Sequence, residues 1–300
     1  MAARRYRVVE YVTQTPDGGL GGTPPPIQAR DGLCQLPVFG PVALKMLNLL
    51  ANQQAEVRSL AGLLRTDPAL SAEVLAVANS SFYGTPQYID NLARAILVLG
   101  FERTRSLTLT VALRSFTLHP ANAKVMQACW HHSVATALLA EELASLYEIA
   151  KDRAYIAALI HDVGRLGLLR AYGELYAPLF ATVHDTLADC LEAERSLFEM
   201  DHCQAGLLLT QRWGFPSEYS RVAGCHHGEL PAAKQDLVSL THTACLFADA
   251  LGFPAVALAQ KPSTADIVAQ LPANPWNPYT FHEEQLRDRI ANQIASVEQR

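Results

Sequence analysis

Apolar positions recur along this chain at steps of three and four, the spacing that lines one face of a helix. Ala43, Met46, Leu47 and Leu50 make the first such face. Leu60, Leu63 and Leu64 make a second, on a predicted helix from Val57 to Arg65. Thr66-Asp67-Pro68 reads as a helix start, because Asp67 can cap and Pro68 sits where its missing N–H costs nothing. Helices are predicted next over Ala69–Ala78, Asn91–Leu99 and Thr104–Phe116, so residues 37–118 read as about five short helices.

His119-Pro120 breaks the pattern. A long helix is then expected over about 122–147, with Val125, Cys129, Ser133, Thr136, Leu139 and Leu143 on one side. Further helices are expected at Arg153–Val163, Glu174–Thr186, Cys190–Met200, Cys203–Trp213, Glu218–His226, Ala233–Leu251 and Glu283–Val297. Residues 13–35 are punctuated by Gly and Pro, including Pro24-Pro25-Pro26, and read as a loop or linker. The stretch 252–282 carries five prolines and reads mostly as loop. Val8–Val12 is the one candidate strand, and no useful period-two alternation occurs elsewhere, so the fold class is all-α.

Composition narrows the function classes. Half of the 300 residues are hydrophobic and 18% are charged, below the usual quarter, so the chain has ample material to bury and is not disordered. A net charge of −5 and the absence of a Lys/Arg stripe argue against nucleic acid as a partner. No apolar run approaches a membrane span, and the amino terminus is too short and polar for a signal-peptide core, so a cytoplasmic protein is expected. The six cysteines have no regular spacing and read as small buried hydrophobes. The unusual count is histidine: ten, of which eight lie between His131 and His242.

Several of these residues stand where a polar group needs a reason. His161-Asp162 ends the apolar run Ile156-Ala157-Ala158-Leu159-Ile160. An unpaired carboxylate there would be costly, so Asp162 needs a strong partner. A metal ion shared with neutral imidazoles is one, since such sites take both ligand types. The alternative is that His161 caps the helix and Asp162 binds a backbone N–H. Asp249 poses the same problem inside Ala244-Cys245-Leu246-Phe247-Ala248-Asp249-Ala250-Leu251. His132 lies in the long helix, His202 opens an apolar helix and His226-His227 end another. His119, His131, His184, His242 and His282 lack such context and read as structural or surface residues.

Taken together, the motifs resemble the HDOD domain, a bacterial signalling module related to the HD metal-dependent phosphohydrolases. The resemblance rests on Leu36-Pro37-Val38, on Leu60 through Leu70, on Leu75-Ala76-Val77-Ala78-Asn79-Ser80-Ser81-Phe82-Tyr83-Gly84, and on Ala95-Ile96-Leu97-Val98-Leu99-Gly100. It continues in Trp130-His131-His132-Ser133, Trp213-Gly214-Phe215-Pro216 and His226-His227. It implies a tail or linker over 1–35, an HDOD domain over 36–252 and a carboxy-terminal extension over 253–300. Within the domain, an amino-terminal helical lobe (36–118) would pack on an HD-like bundle (119–252).

The resemblance also implies chemistry. Many members of the family lack the HD ligands, whereas this chain keeps His132, His161-Asp162 and Asp249 in the HD order. That quartet would hold one divalent ion, such as iron, manganese or another transition metal. His202, with Gly206 four residues on, and His226-His227 look like the added histidines that hold a second ion in the HD-GYP group. Asp162 is then the candidate bridging residue. The Gly-Tyr-Pro segment of that group is absent: Gly228-Glu229-Leu230-Pro231-Ala232-Ala233 follows His226-His227. Arg165 stands where those enzymes usually have Lys, and would either hold a phosphate or lie on the surface.

Three readings stay open at this stage. The first is a regulatory module with a metal centre, working through signalling-protein partners or a nucleotide or phosphate ligand. The second is a metal-dependent phosphohydrolase. The third is a purely structural histidine cluster. In the first two, Asp162 and Arg165 are the candidate catalytic or phosphate-holding pair. No receiver-type domain fits in the first 35 residues, so an upstream sensor is expected on another chain. Asn79 and the serines after it are expected to close helix ends, with Phe82 and Tyr83 packing between the lobes.

Overall fold

The computed structural model describes residues 28–51, 57–80, 87–118, 122–228, 235–261, 263–272 and 282–298. The short strand expected at Val8–Val12, the Phe82-Tyr83 contact and residues 229–234 lie outside them. The described residues are all-α, with one isolated bridge between His184 and Leu258 as the only extended pairing.

The amino-terminal helices are α1 (Arg30–Gln35), α2 (Pro41–Ala51), α3 (Val57–Leu64), α4 (Pro68–Ala78), α5 (Leu92–Leu99) and α6 (Phe101–Thr117). Asp67 caps α4 as expected, accepting from the N–H groups of Ala69 and Leu70 at 3.1 Å each. Asn79 closes the other end of α4: its side-chain amide donates to Leu75 O and Ile89 O, and its Oδ1 accepts from Ile89 N at 2.7 Å. Gly100, at φ 79°, joins α5 directly to α6 in a conformation that favours glycine. Leu60, Leu64, Val74, Ile89 and Ile96 form a small core of this lobe.

The carboxy-terminal bundle follows with α7 (Ala123–Leu143), a 3-10 turn (Ala144–Tyr147), α8 (Lys151–Leu159), α9 (Val163–Ala181), α10 (Leu187–Phe198), α11 (His202–Trp213), α12 (Ser217–Cys225) and α13 (Leu237–Ala250). The short α14 (Thr264–Ala269) and then α15 (Glu283–Glu298) complete the chain. Helix α7 is buried on nearly every side from Cys129 to Ala140 and packs on α8 and α13. Burial all round marks it as the central helix of the bundle.

Three sequence expectations change here. The helix expected over Arg153–Val163 stops at Leu159, and α9 starts at Val163. His161 and Asp162 therefore sit in the turn between two helices. The helix expected at Glu174–Thr186 is the second half of α9, which bends at Tyr172 (φ −138°, ψ 37°). The linker expected up to residue 35 is helical over Arg30–Gln35, and Leu33 drops into the main core against α9 and α11. Far along the chain, Leu286, Ile290 and Ile294 sit on one stripe of α15 and join the same core. Helix α15 is thus bound to the bundle through α7.

Candidate metal centre

The turn at residues 160–162 follows from its sequence. His161 closes α8, its Nδ1 lying 2.6 Å from the Ala158 carbonyl. Asp162 then starts α9 without capping it through its side chain. So His161 does cap, but Asp162 does not bind a backbone N–H. Both side chains are almost fully buried and face the bundle interior.

Close helix packing brings the partners in. Gly164 stands where a Cβ would overlap the backbone of His202 and Gly206. Its bare Cα lets the start of α11 lie against the start of α9. His202 thereby reaches Asp162, with Nε2 3.4 Å from Oδ1. His226, at the end of α12, brings Nε2 to 3.3 Å from the same oxygen. Oδ2 faces the other way, at 3.9 Å from His132 Nε2 and 3.8 Å from His161 Nε2. The carboxylate thus sits between two groups of donors. Asp162, His202, His226 and His227 form one; His132, His161 and Cys245 form the other. Within each group the donor atoms lie within 4.8 Å of one another.

The second nitrogen of each ring fixes what the first can do. His132 Nδ1 lies 2.9 Å from Phe253 O, and His226 Nδ1 lies 3.2 Å from both Val222 O and Ala223 O. His161 Nδ1 is held by Ala158 O in the same way. A carbonyl oxygen only accepts, so each Nδ1 carries the proton and donates it. His202 Nδ1 donates to Glu194 Oε2 at 2.7 Å. In their neutral forms, all four rings then present a bare Nε2 lone pair to the centre. Nε2 of His132 and Nε2 of His161 face each other at 3.3 Å, lone pair to lone pair. Asp162 Oδ1, His202 Nε2, His226 Nε2 and His227 Nδ1 are buried with no hydrogen-bond partner. Buried polar atoms that converge without a partner need a proton or a cation between them, and an outer oxygen fixing each ring is the usual support of a histidine ligand.

The electrostatics separate the rings. Burial pushes the Asp162 carboxyl up, but Arg165 and the adjacent histidines outweigh it and hold it ionised, well below the usual range. Burial drives His161 and His227 down toward the neutral form that a metal needs. His202 and His226 go the other way. Burial lowers both, but Glu194, Cys203 and Asp162 lift His202 well above the usual range, and Cys203 and Asp162 lift His226 to about 9. At those two rings a proton and a cation compete for the same place.

Arg165 is not on the surface. It is buried, with Nε 3.0 Å from Asp162 Oδ2 and a terminal nitrogen 2.9 Å from Glu194 Oε1. Sequence reasoning overlooked Glu194. It accepts from Arg165, from the Tyr176 hydroxyl at 2.5 Å and from both the backbone and ring of His202. These donors overcome its burial and lower its pKa to about 2. The signal for it was present: Cys190, Leu191, Glu194 and Phe198 share the buried stripe of α10. A carboxylate on an apolar stripe is the same anomaly that singled out Asp249.

Asp249 itself lies outside both donor groups. Its Oδ1 is 3.4 Å from His132 Nδ1, on the far side of that ring from His161. Burial raises its pKa. Cys245, one turn earlier on α13, reaches the other side, with Sγ 3.5 Å from His132 Nε2. The reading of all six cysteines as buried hydrophobes therefore fails in two ways: Cys225 is exposed and Cys34 partly so, while Cys245 faces the centre. Among the histidines set aside as structural, His242 donates to His226 O and His184 pairs with Leu179 O.

A small pocket opens onto the centre. Its polar wall is His132, Asp162, Arg165, His227, Cys245 and Asp249, and its apolar rim is Leu187, Ala255, Val256 and Leu258. It encloses about 240 Å³, part of it open solvent. The rim strand is pinned by backbone bonds from His184 N to Ala257 O (3.0 Å) and from Ala259 N to His184 O (2.8 Å).

The chain matches known proteins over most of its length. A family model described as the HDOD domain covers residues 36–229. An uncharacterized protein of Treponema pallidum (strain Nichols) is 22% identical over 218 residues, which is 71% of this chain. The match spans only 41% of that relative's length. Among solved structures, an HDOD domain protein of unknown function from Geobacter sulfurreducens aligns with a TM-score of 0.64 at 21% identity, covering 90% of this chain and 96% of that one. A protein of Shewanella amazonensis SB2B, provisionally named a metal-dependent phosphohydrolase, aligns with a TM-score of 0.59 at 19% identity, covering 86% and 92%. At these identities the structural likeness establishes the fold.

Proposed function

The chain belongs to the HDOD domain family, and from that premise we propose that it is a regulatory module organised around a divalent-metal centre. The observation that carries the reading is the convergence of four Nε2 atoms on the Asp162 carboxylate, each ring held through Nδ1. His202, His226, His227 and Asp162 Oδ1 would hold one ion. His132, His161 and Asp162 Oδ2 would contribute to a second, with Asp249 steadying His132 from behind. Such an ion supplies Lewis acidity and lowers the pKa of a bound water toward neutrality. Of the chain's own residues, Asp162 would serve both positions, Glu194 fixes the His202 tautomer, and Arg165 neutralises both carboxylates.

The pocket supports regulation over turnover. Its polar wall offers one guanidinium, Arg165. Arg165 already serves two carboxylates, so it is poorly placed to clamp a phosphate as well. Output would then pass through protein contacts made by the helical surface. A hydrolytic reading keeps one observation in its favour, the polar wall that joins Asp162 and Arg165 to the opening.

The test is to load the purified chain with iron, manganese or zinc and offer it a chromogenic phosphodiester and cyclic dinucleotides. The regulatory reading expects bound metal with turnover no faster than the Asp162→Asn variant. Rapid metal-dependent hydrolysis that this variant loses would replace it with the phosphohydrolase reading.

A further inference from the structure

Helix α13 offers the centre two side chains one turn apart, and they reach opposite nitrogens of the same ring. Asp249 Oδ1 lies at His132 Nδ1, which already donates to Phe253 O. Cys245 Sγ lies at His132 Nε2, on the inner side, where His161 Nε2 also points. All three inner side chains are at most 3% exposed. Their donor atoms lie within 4.8 Å of one another. The two imidazoles cannot satisfy each other, because both Nδ1 protons are committed to backbone carbonyls. Sγ, 3.5 Å from His132 Nε2, and Asp162 Oδ2, 3.8–3.9 Å from the two nitrogens, are the further protein donors a cation between them could take.

We propose that Cys245 is a thiolate ligand of the His132/His161 metal position and that this position selects a soft or borderline ion over magnesium or calcium. The inference rests on the metal-centre reading above. When the ion binds, a metal–sulfur bond forms, the Cys245 S–H bond breaks and its proton leaves to the buffer; no electron changes hands. A coordinating thiol is deprotonated by the ion itself, even where burial disfavours the free thiolate. Mixed N/S donors suit zinc, iron and cobalt, whereas the hard alkaline-earth ions take oxygen ligands.

The experiment titrates the chelator-stripped full-length chain with Co²⁺ alone and follows its absorption. A thiolate ligand gives a sulfur-to-cobalt charge-transfer band in the near ultraviolet, which oxygen and nitrogen ligands do not. The expected result is that band in the wild type, its loss in Cys245→Ala and Cys245→Ser, and its persistence in Cys225→Ser, which removes an exposed thiol. Co²⁺ affinity at that position should fall at least about tenfold in Cys245→Ala. Cys245→Ser keeps the side-chain volume, and unchanged circular dichroism in either variant shows that the loss is not unfolding. Cobalt uptake with no such band, or a band that survives in both variants, overturns the thiolate and leaves the metal centre standing. No uptake at all overturns both.

Discussion

The two lobes bury polar groups in different ways. In α6 of the amino-terminal lobe they are hydroxyls, each spent on its own helix: Thr104 donates to Gly100 O, Thr108 to Thr104 O and Thr110 to Ser106 O, all within 2.7–2.8 Å. Among the described residues of 36–118, the one buried side-chain atom left unpaired is Nε of Arg105, whose terminal nitrogen pairs with Asp152. In the carboxy-terminal bundle Thr136 and Thr210 do the same, but imidazoles and carboxylates are buried beside them. Asp162 Oδ1 and three imidazole nitrogens, all without a hydrogen-bond partner, lie together there. A satisfied hydroxyl adds little beyond local geometry. The cluster around Asp162 leaves room for an ion, and the proposed function places one there. The contrast is between hydroxyls satisfied locally and ring nitrogens left open to a ligand.

Removing the bridge should break this contrast most sharply. Asp162→Asn keeps the shape of the side chain but loses the charge that both donor groups share. Metal affinity should fall by more than about a hundredfold, beyond the usual cost of an outer-shell change, as read by calorimetric titration of the stripped protein. Glu194→Gln comes next. It leaves Arg165 short of one buried partner and releases His202 Nδ1 from a charged acceptor. Affinity at the His202/His226/His227 position should drop about 10–100-fold. Stability in urea should fall by about 3 kcal/mol.

Gly164→Ala tests the packing beneath the site. The new methyl would meet backbone atoms of α11, which cannot move aside as a side chain can. A loss of about 1–3 kcal/mol in thermal or urea unfolding is expected, with weaker metal binding because His202 is pushed from Asp162. Titration gives a subtler probe. His226 holds its proton to about 9 in the folded, metal-free chain, against 6.5 for the free side chain. Its contribution to stability is therefore full below pH 6.5 and disappears as pH rises through about 9. Cys203, held down to about 6 by the same contact with His226, contributes with the opposite sign over that window. Urea unfolding of the metal-free wild type should therefore be nearly flat there, and Cys203→Ala, which removes the opposing group, should lose stability as pH rises. The smallest effect belongs to the other lobe: Thr108→Val should cost about 1 kcal/mol and leave metal binding unchanged. A shift in metal affinity from that variant would undo the division between the lobes.

Much of this was legible in the sequence because helical patterning and cap chemistry are local. Asp67-Pro68 and Asn79 mark the ends of α4 through bonds to atoms within a dozen residues. The histidines were legible as anomalies, polar residues bordering apolar runs. What stayed hidden depends on contacts across the bundle. The break at His161-Asp162 looks helical in the pattern, since Val163 continues the apolar run on the next helix. Glu194 acquires meaning only when α10 brings it to Arg165, 29 residues away, and Cys245 only when α13 crosses α7 at His132. Side-chain type alone cannot tell a filler thiol from one aimed at two bare nitrogens.

The central claim is that the cluster around Asp162 holds a metal ion. Elemental analysis of the chain, purified without chelator or affinity metal after growth in medium supplemented with iron, manganese and zinc, tests it most directly. The account predicts stoichiometric transition metal in the wild type and its loss in Asp162→Asn. A wild-type chain that is folded by circular dichroism and carries no such metal would contradict it.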